Sequence, residues 1–169
     1  MAQVHVIDTT LRDGSHAVSH SYSPDQVREI ASRLDQSGVF MIEVSHGDGI
    51  SGSSYNYGFS KYQEMDLIAA AADVVKNAKL DVLLLPGIGT VADLKQAQSL
   101  GVSAVRVATH VTEADISAQH IRAAKEMGMF AVGFLMMAHM ASPEKIAEQA
   151  KLMESYGADY INIADSAGY

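Results

Sequence analysis

Cysteine is absent from the 169-residue chain, which removes disulfides, thiolate metal sites and a cysteine nucleophile from consideration. Basic residues are scarce, with 12 lysines and arginines against 20 aspartates and glutamates and a formal net charge of −8. No basic patch is available to offset phosphate repulsion, so nucleic acid is excluded as a partner and the charge reads as a solvated acidic surface. Long apolar runs are missing too: none approaches the roughly 20 residues a membrane helix needs. With no signal peptide before the first strand, no membrane association and a cytoplasmic location are expected. What remains is ordinary for a globular protein, 48% hydrophobic and 19% charged. A chain of this length buries about 70% of its unfolded surface as one domain, here taken to span 1–169.

The apolar pattern alternates between strand and helix. Val4 to Ile7 reads as a first strand. Ser23-Pro24-Asp25-Gln26 opens a helix with a serine cap, a first-turn proline and a capping-box glutamine. Val27, Ile30, Ala31 and Leu34 then form one apolar stripe, and Gly38 ends the helix. Val39 to Val44 is apolar on both faces, as in a parallel sheet covered by helices. The unit repeats, with strands expected over Leu80–Leu85, Ala104–Ala108, Phe130–Met136 and Asp159–Ala164. The intervening helices start near Met65 and at the caps Thr90, Thr112 and Ser142. This is an α/β pattern of about six parallel strands and five helices. Loops after strands carry His16, His20, His46, Asp48, His110, His139 and Asp165, whereas loops after helices are short. Chemistry gathers at strand carboxyl ends both in (β/α) barrels and in open doubly wound sheets, so the asymmetry alone does not decide closure.

The most chemically dense stretch is Asp8-Thr9-Thr10-Leu11-Arg12-Asp13-Gly14-Ser15-His16, directly after the first strand. Arg12 can hold a developing enolate oxygen, Asp13 offers a hard oxygen ligand for Mg²⁺ or Mn²⁺, and His16 can move a proton near neutral pH. The plain alternative is a loop shaped by an Arg–Asp pair beside a solvated histidine. Gly47-Asp48-Gly49-Ile50-Ser51-Gly52 spells G-x-G-x-x-G but lacks an immediate helix, so a backbone-shaped loop is a better account than dinucleotide binding. Met136, Met137 and Met140 are expected to fill core, His120 to lie on the surface and His5 to be structural.

The run Asp8 to Gly14 resembles the signature of the DRE-TIM metallolyases. Later stretches narrow the resemblance to the 4-hydroxy-2-oxovalerate aldolase family. They are His46-Gly47-Asp48-Gly49, Gly52 to Phe59, Leu85-Pro86-Gly87-Ile88-Gly89-Thr90, Arg106-Val107-Ala108-Thr109-His110, Thr112-Glu113-Ala114-Asp115, Gly133 to Met137, Lys151 to Ala158 and Ala164-Asp165-Ser166. The resemblance implies a partial (β/α) TIM-type barrel and a class II pyruvate aldolase. Such an enzyme cleaves a small 4-hydroxy-2-oxo acid to pyruvate and an aldehyde with a divalent metal, Mn²⁺ or Mg²⁺. It assigns Asp13 as metal ligand, Arg12 as enolate stabiliser, His16 as base on the 4-hydroxyl, and Ser166 as a partner of the substrate carboxylate. It also implies parts that would fall after Tyr169: a His-x-His pair of metal ligands on a seventh strand, a tyrosine, and a helical region that binds an acylating aldehyde dehydrogenase. The expectation is therefore a barrel truncated after about six strands, weak in metal and without the dehydrogenase partner. Its exposed sheet edges favour a homo-oligomer. The alternatives are a non-catalytic structural half-barrel that self-associates, and a binder of small carboxylates through Arg12 and Ser166.

Overall fold

Six strands pair in sequence order, every pair parallel, in a computed structural model that describes residues 4–168. They are β1 (Ile7–Asp8), β2 (Met41–Glu43), β3 (Lys79–Leu84), β4 (Ala104–His110), β5 (Phe130–Met136) and β6 (Tyr160–Ile163). Five α-helices connect them: α1 (Pro24–Ser37), α2 (Glu64–Ala72), α3 (Val91–Ser99), α4 (Ala118–Glu126) and α5 (Pro143–Ser155). The expected α/β partial barrel is what the chain forms. No helix among the described residues is long and apolar enough to cross a membrane.

Strand alternation sorts the side chains into two layers. Ile42, Val44, Leu80, Val82, Leu84, Val105, Val107, Ala131 and Leu135 meet the helices in the main core. Met41, Ala104 and Val132 form a second cluster on the opposite face with Ile7, Phe40 and Phe130. In register with that inner layer, Glu43 stands opposite Asp81 across β2 and β3, and Arg106 opposite Leu83 across β3 and β4. The inner face is thus apolar near the strand starts and charged toward their carboxyl ends.

Local sequence explains most boundaries. Ser23 and Gln26 close a reciprocal capping box on α1, and Thr90 and Asp93 do the same on α3. The first strand is shorter than the expected Val4–Ile7. Val4 and Val6 are 83% and 55% exposed, because this edge has a neighbour on one side only. Thr112 does not cap α4. A 3-10 turn, Ala114–Ser117, intervenes, and the Ala114 N–H is met by Gln149 Oε1 of α5 at 3.0 Å. His120, expected at the surface, is buried on α4. Met140, expected in the core, is 61% exposed, since it lies in a short 3-10 turn after β5 rather than on the strand.

His5 has the structural role expected of it. Its ring stacks on Phe40 at 4.1 Å between centroids, and its Nδ1 meets the Tyr160 hydroxyl at 2.7 Å. Phe130 packs edge-on against both Phe40 and Tyr160. This aromatic group joins the two outermost strands across the amino-terminal mouth, opposite the loops that carry the chemistry.

Candidate functional site

The turn after β1 brings Arg12 to the carboxyl end of β2. Its Nε donates to Glu43 Oε1 at 2.6 Å, and its Nη1 donates to Asp13 Oδ1 at 3.0 Å and to the Gly47 carbonyl at 3.3 Å. Nη2 takes no part in these bonds. The other Glu43 oxygen accepts from Arg106 Nη1 at 2.8 Å, and the Arg106 guanidinium lies over the Phe134 ring, 4.3 Å from its centroid. Glu43 is fully buried, which is tolerable because both oxygens are matched by fixed cations.

Asp81 completes this buried set. Neither of its oxygens meets a donor. Burial, together with the neighbouring Glu43 charge, pushes its carboxyl well above the usual range and so favours its neutral form. Two guanidinium groups therefore converge on Glu43 at the mouth of the inner face, and Asp13 pairs with Arg12 at the rim. The Arg12 guanidinium, held with Nη2 outside these bonds, suits a small carboxylate or a developing enolate. Glu43 and Asp81 were not singled out from sequence, and Arg106 entered only within a stretch that carries the family resemblance. The available signal was a charge inside each of three otherwise apolar strands.

Beside this set lies an imidazole group. His16 and His20 come from the 3-10 segment after β1, and His46 and Asp48 from the loop after β2. His20 and His46 stack at 3.9 Å between centroids, and His16 meets His20 edge-on at 4.9 Å. Asp48 Oδ2 is 3.6 Å from His46 Nδ1 and 4.0 Å from His16 Nε2. Burial holds the pKa of both His20 and His46 below that of a free imidazole. The adjoining His16 adds to this for His20, and His20 adds to it for His46. The loop is pinned by Glu64, which accepts from the His46 and Ser51 N–H groups at 2.6 and 2.8 Å. Its glycines make room for rings: a Cβ on Gly47 would collide with His16 Nε2, and one on Gly52 would come within 2.6 Å of His46 Nδ1. The expected backbone-shaped loop is thus shaped around histidines.

The structure brings Arg12 and His16 together through Gly47, whose carbonyl Arg12 holds and whose missing side chain admits His16. Asp13 stands at the rim, its side chain 65% exposed and paired with Arg12. Among the described residues it joins no second and third His, Asp or Glu in a group able to hold a metal. The residues present therefore do not make a complete metal site around Asp13. His110 is exposed at the end of β4, and His139 lies 3.7 Å from Asp165; neither joins Asp13. Ser166, beyond β6, accepts from the Met137 N–H at 3.0 Å, which fixes its position at the strand mouths.

A half-barrel with paired guanidinium groups and histidines at its strand ends defines a class, and comparison with known proteins agrees. The HMGL-like family pattern matches residues 3–169, and the chain belongs to that family. Within it, the chain is 66% identical over 165 residues to a 4-hydroxy-2-oxovalerate aldolase of Moorella thermoacetica, covering 98% of this chain and 49% of that protein. It is 61% identical over 163 residues to a protein of the same name from Thermus thermophilus, covering 96% and 47% respectively. The resemblance read from the motifs is thus matched along the whole chain, which spans about half the length of these relatives. Among solved structures, the carboxyl transferase domain of Rhizobium etli pyruvate carboxylase superposes with a TM-score of 0.78 at 18% identity, over 99% of this chain and 31% of that one. The N-terminal domain of a Bacteroides vulgatus protein described as a putative aldolase gives 0.65 at 15% identity, over 95% and 62%. At these identities the likeness concerns the fold.

Proposed function

We propose that this chain is the enolate-handling part of a pyruvate aldolase acting on small 4-hydroxy-2-oxo acids. One observation carries the reading: Arg12, fixed by buried Glu43 and with Nη2 uncommitted among the described residues, sits beside His16 at the strand ends. His16 takes the proton of the 4-hydroxyl, the C3–C4 bond breaks, and the aldehyde leaves. The bonding pair passes into the pyruvate enolate, whose oxygen faces Arg12, and protonation at C3 gives pyruvate. Because Ser166 accepts from Met137, its own proton is free for the substrate carboxylate. Asp13 would contribute one ligand to Mn²⁺ or Mg²⁺, with the others coming from outside the described residues. The sheet edges at β1 and β6 would pair with a second copy.

Calorimetry with oxalate, a planar enolate mimic, tests the binding half of this reading. Arg12→Ala should weaken oxalate roughly 10- to 100-fold, the loss of one charge-assisted contact of about 1.5–3 kcal/mol. Pyruvate release from 4-hydroxy-2-oxopentanoate, assayed with Mn²⁺ supplied, tests the chemistry. Unchanged oxalate binding in Arg12→Ala would remove the basis of the proposal. The incomplete ligand set around Asp13 favours a second reading, a half-barrel that binds the anion without turnover; binding with no pyruvate release would select it.

A further inference from the structure

One group of metal-ligating side chains lies apart from Asp13 and comes together within the described residues. The ligand atoms of His16, His20 and Asp48 all lie within 4.8 Å of one another. Their surroundings have the features of a prepared site. The Ser15 hydroxyl donates to the Arg12 carbonyl at 2.6 Å, so at 2.9 Å from His20 Nδ1 its oxygen acts as acceptor. The His20 proton is thereby placed on Nδ1, which makes Nε2 the ligand atom once the ion displaces the Tyr57 carbonyl that also interacts with this imidazole. His46 does not compete for the ion, because its Nδ1 already accepts the Asp48 N–H at 3.1 Å. It serves as a buried wall on which His20 is stacked. The close seating of His16 against Gly47 is possible only without a side chain there. The opposite side is open: His16 and Asp48 side chains are 45% and 28% exposed, which gives an entry path and room for a water.

We propose that His16, His20 and Asp48 bind one Zn²⁺ per chain, with water as the fourth ligand, at a site separate from Asp13; zinc there occupies the His16 nitrogen and so excludes its action as a base. Two imidazoles and one carboxylate are the donor types that suit zinc, whereas magnesium and calcium favour oxygen ligands throughout. A tetrahedral ion with bonds of about 2.0–2.1 Å sets its ligand atoms roughly 3.4 Å apart, so the 4.0 Å between His16 Nε2 and Asp48 Oδ2 closes by about 0.6 Å on binding. Two partly exposed side chains can make that movement while buried His20 stays in place.

The test is Zn²⁺ titration of the intact chain by calorimetry, with no substrate present, so that its outcome is independent of the reaction proposed above. Saturable binding of one ion is expected. His16→Gln and Asp48→Asn should each weaken it by about tenfold or more, while Asp13→Asn leaves it unchanged. In the wild-type chain, the imidazole NMR signals of His16 and His20 should shift with the same titration. Absence of saturable Zn²⁺ binding, unmoved imidazole signals, or loss of binding in Asp13→Asn but not in Asp48→Asn would each overturn the proposal.

Discussion

Glu43 holds two arginines at once, and removing its charge leaves Arg106 without its ion-pair partner and Arg12 with only Asp13 at the rim. Glu43→Gln should therefore cost about 3–5 kcal/mol, the usual penalty for breaking a buried pair from one side. Asp81, its neighbour in register, behaves differently because burial and the Glu43 charge favour its neutral form. Asp81→Asn is close to isosteric with that form and should change stability by less than about 1 kcal/mol at pH 7. Denaturant unfolding of the two variants checks the ranking, and the reverse order would contradict the assigned protonation. The sign with pH follows from linkage. Asp81 binds its proton in the folded chain but releases it in the unfolded chain above about pH 3.9, so its contribution declines as pH rises from there toward the folded pKa. Asp81→Asn should lack that decline and gain on the wild type across the same window. At this scale the charged turn was legible in sequence, because Arg12, Asp13 and His16 fall within five positions. Glu43 and Arg106 were not, because a single charge in an apolar strand reveals its partner only when strands far apart in sequence are set in register.

Helices were legible wherever their signals are local. Ser23 with Gln26 and Thr90 with Asp93 mark α1 and α3 within four residues. Thr112 misled because a 3-10 turn precedes α4, and its Ala114 N–H is met by Gln149, a side chain from another helix. His120 misled for a related reason: the side of α4 that carries it is covered by other parts of the chain. A second tertiary link concerns Asp35 at the end of α1, where a carboxylate opposes the helix dipole. It accepts from the Asn77 and Ala78 N–H groups at 2.8 Å and from Asn77 Nδ2 at 2.9 Å, tying α1 to the entry of β3. Burial alone would raise its pKa, but these bonds outweigh burial and lower it. Asp35→Ala should cost about 2–3 kcal/mol, with three donors left unpaired. For a depressed carboxylate the stabilisation is complete above the unfolded value of about 3.9 and disappears as pH falls through the folded value. Wild-type melting temperature should consequently fall below pH 4 more steeply than that of Asp35→Asn.

For the molecule as a whole, the order of strands was legible because each short loop after a helix returns the chain beside the strand before it. The edges, β1 and β6, set its expected association. Ile163 on β6 is 56% exposed and Tyr160 40%, an apolar margin on an edge strand. Wild-type chain should sediment as an oligomer, and Ile163→Lys should shift it toward monomer without lowering its melting temperature, since a lysine on an edge discourages pairing. A wild-type chain that sediments as a monomer would contradict this expectation.

The hydrogen bond between Tyr160 and His5 spans 155 positions of sequence. A contact of such separation is among the last that a folding polypeptide can make, because nearly all intervening loops must close before its ends can meet. The protein contains no tryptophan, so tyrosine emission is not masked by indole. With the other six tyrosines replaced by phenylalanine, Tyr160 becomes a clock hand for refolding, registering the moment when the beginning and the end of the sheet find each other.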